Sequence, residues 1–239
     1  MNTTKRGPVN TMRLIARCLL ALAMMMTPWS TAFAHSIDET AAMLGGKEKY
    51  FQPIDKVAPN FTLRDADDRI FRLADFRNKV IVLHFVYTHC PDVCPLHAER
   101  IAQIQTMIKQ GHMQDRVQFI TITTDPSRDT QQVLRDYGKV HGLKSANWLF
   151  LTTTADQPED ETRRLAESFG HKFTKEKDGY QMHGIVTHVV DREGRWRANF
   201  HGLEFDPTNM VVFVNALIND VHPEPAEQGG FWGWLKSLF

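Results

Sequence analysis

The strongest constraint on the fold is the run Val80–Tyr87, whose sequence V-I-V-L-H-F-V-Y is almost continuously apolar and β-branched. Its length suits a single strand, and the side chains of a strand alternate between the two faces of a sheet. A run without polar alternation therefore predicts a strand that is buried on both faces. Val117–Ile122 is a second run of this kind. Because helices must cover both faces of such a sheet, the sequence predicts an α/β protein.

Helical and hairpin patterns surround these two strands. A helix is predicted over residues 96–110, where Ile101, Ile104 and Ile108 share one face. The other predicted elements are a hairpin of Ala58–Leu63 with Ile70–Leu73, a helix capped by Asp125–Asp129 and running to Val140, a strand at Trp148–Leu151, a helix over 158–169, a hairpin of Gly184–Val190 with Arg195–Phe200, and a helix over Asp206–Asp220. Together they predict a mixed central sheet flanked by helices, with an N-terminal β-hairpin extension.

The first 34 residues have the composition of a secretory signal peptide. Four basic residues precede the apolar run Cys18–Met26, and the small-residue segment Ala32–Ala34 follows it. The run is shorter than the ~20 residues that a membrane span needs. We therefore expect cleavage after Ala34 and a location in the periplasm or another extracytoplasmic space, with an uncleaved N-terminal membrane anchor as the alternative.

The remaining 205 residues carry 24 basic and 28 acidic side chains, a net charge that gives no reason to bind nucleic acid. They divide into an irregular N-terminal lead at 35–56, one domain at 57–221, and a linker with an apolar aromatic tail at 222–239. In that tail, six of the nine residues of Phe231–Phe239 are large and apolar. The tail is expected either to dock on the domain or to anchor the chain to a membrane interface or a partner.

Chemistry is expected at Cys90 and Cys94, the only cysteines left once Cys18 is removed. They follow the buried strand and precede a helix, which is where α/β sheets place their sites. A thiol at a helix N-terminus is expected to be acidified, and a thiolate is both a nucleophile and a soft metal ligand. The Cys-x3-Cys spacing therefore leaves two chemistries open, a disulfide that forms and breaks and a metal site that needs a third donor.

Histidine is the natural third donor, and the chain has 11 of them. The candidates nearest the motif or on the predicted hairpin are His84, His89, His97, His183 and His188. His84 lies inside the buried strand and is expected to be structural. His183 and His188 flank the start of the predicted hairpin strand, and because residues five apart on a strand face opposite sides, at most one of them is expected to face the cysteines. The spacing does not choose between them.

Three motifs in order resemble the Sco (SenC) family, thioredoxin-fold copper proteins of cytochrome c oxidase assembly. They are Tyr87–Pro95, the segment Thr123–Thr130, and a histidine eight residues before Asp191 of Asp191-Arg-Glu-Gly194. The similarity extends from about Ala58 to Asp220. It implies a thioredoxin-like fold for this region.

By position, the resemblance implies that the metal ligands are Cys90, Cys94 and His183, with Asp125 in a supporting role. His188 lies where the family commonly has an aromatic residue. Met182 replaces an aspartate that precedes the ligand histidine in many relatives, so the orientation of the imidazole could differ here. Two thiolates and an imidazole form a soft donor set that suits Cu(I), and Cu(II) if a further donor is added.

The resemblance implies a copper-binding assembly factor that delivers copper to a copper enzyme such as cytochrome c oxidase, or reduces the cysteines of that enzyme. The expected partner is a copper-receiving protein, an oxidase subunit above all. The alternative is a thiol–disulfide oxidoreductase in which Cys90 and Cys94 are the redox pair. The family has been linked to both roles, so whether the chain is an enzyme stays open at this point.

Overall fold

The computed structural model describes residues 37–90, 93–177 and 179–219, and within these ranges the side chains of residues 175, 176, 179–181 and 183 are not described. The predicted signal peptide, the aromatic tail and Pro91 of the cysteine loop lie outside the described residues. Within the described residues no helix is both long and apolar enough to cross a membrane.

Five helices and ten strands make up the described part of the chain. The helices are α1 (Ile37–Lys47), α2 (Val93–Gln110), α3 (Gln131–His141), α4 (Glu161–Ser168) and α5 (Pro207–Asn219). The strands are β1 (Phe51–Val57), β2 (Thr62–Arg64), β3 (Ile70–Arg72), β4 (Val80–Val86), β5 (Val117–Thr123), β6 (Trp148–Leu151), β7 (Lys172–Glu176), β8 (Gly179–His183), β9 (Val186–Val190) and β10 (Arg195–His201).

A six-stranded mixed sheet forms the centre, in the order β1-β10-β9-β4-β5-β6. Strands β4, β5 and β6 are parallel to one another, whereas β9 is antiparallel to β4 and β10 is antiparallel to β9. β2 pairs with β3, and β7 pairs with β8, as separate antiparallel hairpins. The fold class predicted from the sequence, including the N-terminal hairpin, is confirmed.

Strand β4 shows why its sequence is apolar throughout. Val80, Val82 and Val86 belong to a core cluster shared with α1, α2, α3 and α5. Ile81, Leu83 and Phe85 belong to a second cluster, on the other face, that includes residues of α4 and of the β2–β3 hairpin. Every residue of β4 is buried. One strand therefore contributes side chains to both cores.

The interior elements were predicted well. β6 has the expected bounds, and β4 and β5 differ from the prediction by one residue at one end. Ile101, Ile104 and Ile108 are fully buried on one face of α2, as their spacing predicts. That helix begins at Val93, earlier than expected, so Cys94 lies in its first turn. The cap of α3 was placed wrongly: its N-cap is Thr130, whose hydroxyl accepts a hydrogen bond from the Val133 amide at 3.4 Å, and not the Asp125–Asp129 segment.

Two regions differ from the sequence-based prediction. The segment predicted as an irregular lead contains α1 and strand β1, which pairs with β10 at the edge of the central sheet. The β7–β8 hairpin was not predicted at all. His183 is the last residue of its second strand, β8, whereas His188 lies in the next strand, β9. Gly184, between these two strands, has φ 83°. The expectation that both histidines flank one strand and face opposite sides was therefore wrong.

Candidate metal and thiol site

The two cysteines lie where β4 ends and α2 begins. The amide of Cys90 donates to the Tyr87 carbonyl at 3.1 Å, which turns the chain directly after β4. Beside it, the Thr124 amide donates to the Val86 carbonyl at 2.8 Å and joins the ends of β4 and β5. Each cysteine is only 5% exposed, and no disulfide joins them. The fold therefore brings two thiols together in a buried position at the carboxyl edge of the parallel strands.

Burial at this position opposes ionisation of the Cys94 thiol. The pKa of the Cys94 thiol is raised to about 12, chiefly by burial and also by the neighbouring Cys90 side chain and the Asp129 carboxylate, against a hydrogen bond from the Tyr87 backbone that lowers it. The expectation of an acidified thiol at a helix N-terminus was wrong for Cys94, because desolvation outweighs the helix. A soft cation that replaces the thiol protons removes the need for a bare negative charge in this buried place.

The Tyr87 side chain lies next to the two thiols. Burial and a hydrogen bond with the Cys90 side chain raise the pKa of its phenol, so the hydroxyl remains protonated. It is therefore a neutral polar group in direct contact with one of the two thiols.

Asp129 braces the loop that leads to Cys90. Its carboxylate is fully buried and accepts hydrogen bonds from the hydroxyls of Thr88 and Thr123 and, at 3.4 Å, from the Thr88 amide. The half-exposed His89 ring places Nδ1 3.6 Å from the same carboxylate. Because Thr123 ends β5, Asp129 ties the cysteine loop to the neighbouring strand. Asp129 lies in the segment Thr123–Thr130 but was not among the predicted site residues.

Asp125, the predicted supporting residue, lies at the start of the same turn. Its carboxylate forms an ion pair with Arg128 and accepts a hydrogen bond from the Ser127 hydroxyl at 3.2 Å. Its amide donates to the Thr123 hydroxyl at 2.9 Å. Asp125 thus shares Thr123 with Asp129, and its supporting role at the metal stays a prediction.

His183 is placed by its backbone. It closes β8 opposite Lys172, and the chain passes through Gly184 and Ile185 into β9. Because Thr187 pairs with His84 in antiparallel register, the start of β9 lies at the same edge of the sheet as the C-terminal end of β4. The backbone of His183 is therefore brought to the edge that carries the cysteine loop. Met182, paired with Phe173, packs against the core on the α4 side.

The remaining candidate histidines have structural partners. Nε2 of the buried His97 lies 2.8 Å from the Thr187 hydroxyl, and Nε2 of the buried His84 lies 3.2 Å from the Thr121 hydroxyl. His188 bonds with His171 through their Nε2 atoms at 2.9 Å and with Asn199 through Nδ1 at 2.7 Å. His84 and His188 thus have hydrogen-bond partners inside the fold, and the expectation that neither binds the metal stays a prediction.

Among the described side chains, no group of three or more His, Cys, Asp or Glu residues is arranged to hold a metal ion. Cys90 and Cys94 provide two donors. The side chain of His183, which the family resemblance implies as the third ligand, is not among the described side chains.

The fold and the thiol pair define a thioredoxin-like domain with a buried Cys-x3-Cys site at the carboxyl edge of its parallel strands. Residues 51–219 match the SCO1/SenC family model, and the chain belongs to that family.

Individual relatives agree with this assignment. A putative copper-binding protein of Stutzerimonas stutzeri is 28% identical over 209 residues, which cover 85% of this chain and 95% of that protein. The crystal structure of a SCO1/SenC family lipoprotein from Bacillus anthracis matches with a TM-score of 0.63 at 22% identity, covering 70% of this chain and 97% of the other. The structure of Bradyrhizobium japonicum ScoI with copper bound matches with a TM-score of 0.55 at 25% identity, covering 67% and 99%.

Proposed function

We propose that this protein binds a copper ion at Cys90, Cys94 and His183 and delivers it to a copper enzyme such as cytochrome c oxidase. The observation that carries the proposal is the pair of buried thiols at the edge of the sheet to which the His183 backbone also comes. Family membership supports it, as do a relative described as a putative copper-binding protein and a structural neighbour solved with copper bound.

The donor set suits the cargo. Two thiolates and one imidazole are soft ligands that favour Cu(I), and a fourth donor would allow Cu(II). A closed structural zinc site normally has four protein ligands. A three-ligand site leaves a position through which an incoming donor of the recipient can take the metal.

The proposal also includes a cellular location and a recipient protein. The composition of residues 1–34 supports an extracytoplasmic location, and the recipient is proposed to be an oxidase subunit. The aromatic tail or an uncleaved N-terminus would keep the protein near the membrane. Deleting residues 231–239 should then release protein from the membrane fraction, and unchanged fractionation would show that the tail is not the anchor.

The second candidate is a thiol–disulfide oxidoreductase. It is favoured by one contact, the hydrogen bond between the Cys94 and Cys90 side chains, which places the sulfurs next to each other. In that reaction one cysteine thiolate attacks a substrate disulfide and forms a mixed disulfide with one substrate sulfur. The second cysteine thiolate then attacks the first cysteine and displaces that substrate sulfur. Cys90 and Cys94 become a disulfide, and the two electrons and two protons pass to the substrate thiols.

Cu(I) affinity separates the two functions. The reduced protein should bind Cu(I) tightly, and Cys90→Ser, Cys94→Ser and His183→Ala should each abolish tight binding. The control is His112→Asn, because His112 is exposed and has φ 56°, a conformation that asparagine tolerates. Reductase activity that depends on both cysteines but survives His183→Ala, together with unchanged Cu(I) affinity in that variant, would favour the oxidoreductase and contradict the three-ligand site.

A further inference from the structure

The two parts of the proposed copper site lie on separate elements. Cys94 lies in the first turn of α2, whereas His183 ends β8 and leads into β9. The pairing of β9 with β4 extends from Val190 to Thr187, so His183 lies four residues beyond its end. The distance between the cysteines and His183 therefore depends on how α2 is held against the first residues of β9.

One buried hydrogen bond joins these two elements beside the site. Nε2 of His97 in α2 lies 2.8 Å from the Thr187 hydroxyl in β9, and the two residues are 2% and 0% exposed. His97 follows Cys94 by three residues, about one helical turn, and Thr187 follows His183 by four residues. The bond therefore holds α2, one turn from a cysteine, against the strand that leads back to the histidine.

The bonded pair is polar in a place where apolar side chains pack. Ala98, Ile101 and Ile104 of α2 are fully buried around it. The His97 ring is neutral there, because desolvation holds its pKa well below the ordinary value. Burial of polar groups costs free energy, which their hydrogen bond offsets. The bond also fixes a distance and a direction, which apolar contacts do not. Such a pair therefore suits the alignment of two elements.

We propose that the His97–Thr187 hydrogen bond sets the spacing between the cysteine pair and His183, so that His97 and Thr187 are positioning residues of the copper site. The inference rests on the proposed function and adds to it two residues that do not touch the metal. Without the bond, the first turn of α2 and the start of β9 can move apart. Copper then keeps its two sulfur ligands and is held less well by the nitrogen ligand.

The central sheet contains a matched pair of residues for the test. Thr187 of β9 and Thr121 of β5 both pair with His84, on opposite sides of β4, and both are fully buried. The Thr121 hydroxyl also bonds to a buried histidine, His84, at 3.2 Å. That bond joins two strands within the sheet, whereas the Thr187–His97 bond joins the sheet to the cysteine helix. Replacing one threonine or the other therefore separates positioning of the ligands from stability in general.

The test measures Cu(I) affinity of the full-length reduced protein by competition with a Cu(I) chelator, and the unfolding temperature without metal. Thr187→Val should weaken Cu(I) binding by roughly 10–100-fold, the usual effect of losing an outer group that positions a metal ligand. Thr121→Val should lower the unfolding temperature and keep the wild-type affinity. Thr187→Ser, which keeps the hydroxyl, should bind Cu(I) as tightly as wild type. X-ray absorption at the copper edge should show two sulfur ligands and a lost or longer copper–nitrogen bond in Thr187→Val.

His97→Leu is the second variant, because it removes the same bond from the side of the helix, and its affinity should fall as in Thr187→Val. Wild-type affinity in either variant, beside tight binding by wild type, would overturn the inference and leave the copper site intact. Equal weakening in Thr187→Val and Thr121→Val would also overturn it, since the hydroxyl would then act through stability alone. Absence of tight Cu(I) binding by wild type would instead overturn the proposed function, and this inference with it.

Discussion

At the scale of single residues, Asp129 does more for the cysteine loop than the aspartate that the sequence singled out. Its buried carboxylate joins Thr88, two residues before Cys90, to Thr123 at the end of β5. Asp125 instead pairs with Arg128, a side chain that is 41% exposed, and such surface ion pairs contribute little to stability. The geometry of the loop therefore depends on Asp129 and much less on Asp125.

Replacing Asp129 by asparagine should lower the free energy of unfolding by about 1–3 kcal/mol, because an amide cannot accept on both sides as the buried carboxylate does. Urea unfolding measures the change. Asp125→Asn is the matched control, and we expect it to change stability by less than about 1 kcal/mol. Equal losses in the two variants would show that Asp129 has no special role as a brace.

At the scale of elements, α3 and β6 approach closely at one glycine. A Cβ atom on Gly138 of α3 would lie 2.5 Å from a ring carbon of Trp148 in β6. The indole cannot shift freely, because its Nε1 donates to the buried Thr121 hydroxyl at 2.9 Å. The packing of α3 against β6 therefore requires glycine at position 138.

Gly138→Ala should destabilise the protein by about 1–3 kcal/mol through overpacking, even though alanine is the better helix former. The control is Gly45→Ala in α1, where an added Cβ has no neighbour within 4 Å and should stabilise the fold by about 0.5–1 kcal/mol. Thermal or urea unfolding of the two variants gives the comparison. A stabilising Gly138→Ala would contradict the close approach.

An element can be predicted from the sequence when its buried residues form a local hydrophobic pattern. β4 and β6 are predicted almost residue for residue because apolar side chains fill the strand. β1 escapes prediction because most of its residues are exposed and it contains Pro53, which only an edge strand tolerates. β7, with the sequence KFTKE, has no apolar period at all. Asp129 acquires its role from contacts with Thr88 and Thr123, which spacing along the chain cannot show.

At the scale of the whole molecule, buried neutral histidines line both faces of the central sheet. Desolvation lowers the pKa of His84 to about 3 and that of His171 to about 4, and it holds the pKa values of His97 and His188 well below their usual range. The rings of His84 and His97 lie 4.8 Å apart, and those of His171 and His188 lie 5.1 Å apart. The folded state therefore favours the uncharged forms of these four side chains.

Stability should fall as the pH drops below about 6.5, the ordinary histidine pKa, because the unfolded chain then binds protons that the folded chain excludes. The loss should continue toward pH 4, where His171 begins to titrate in the folded state, at up to about 1.4 kcal/mol per pH unit for each histidine. The free energy of unfolding measured against pH checks this. His171→Phe should give a shallower slope and His112→Asn the wild-type slope, whereas constant stability between pH 7 and pH 5 would refute the account.

The proposed copper site itself is tested most directly by X-ray absorption at the copper edge of the Cu(I)-loaded protein. The site predicts two sulfur ligands and one nitrogen ligand for the wild type, and loss of the nitrogen ligand alone in His183→Ala. A first shell with fewer than two sulfurs, or a nitrogen ligand that persists in His183→Ala, would contradict coordination by Cys90, Cys94 and His183.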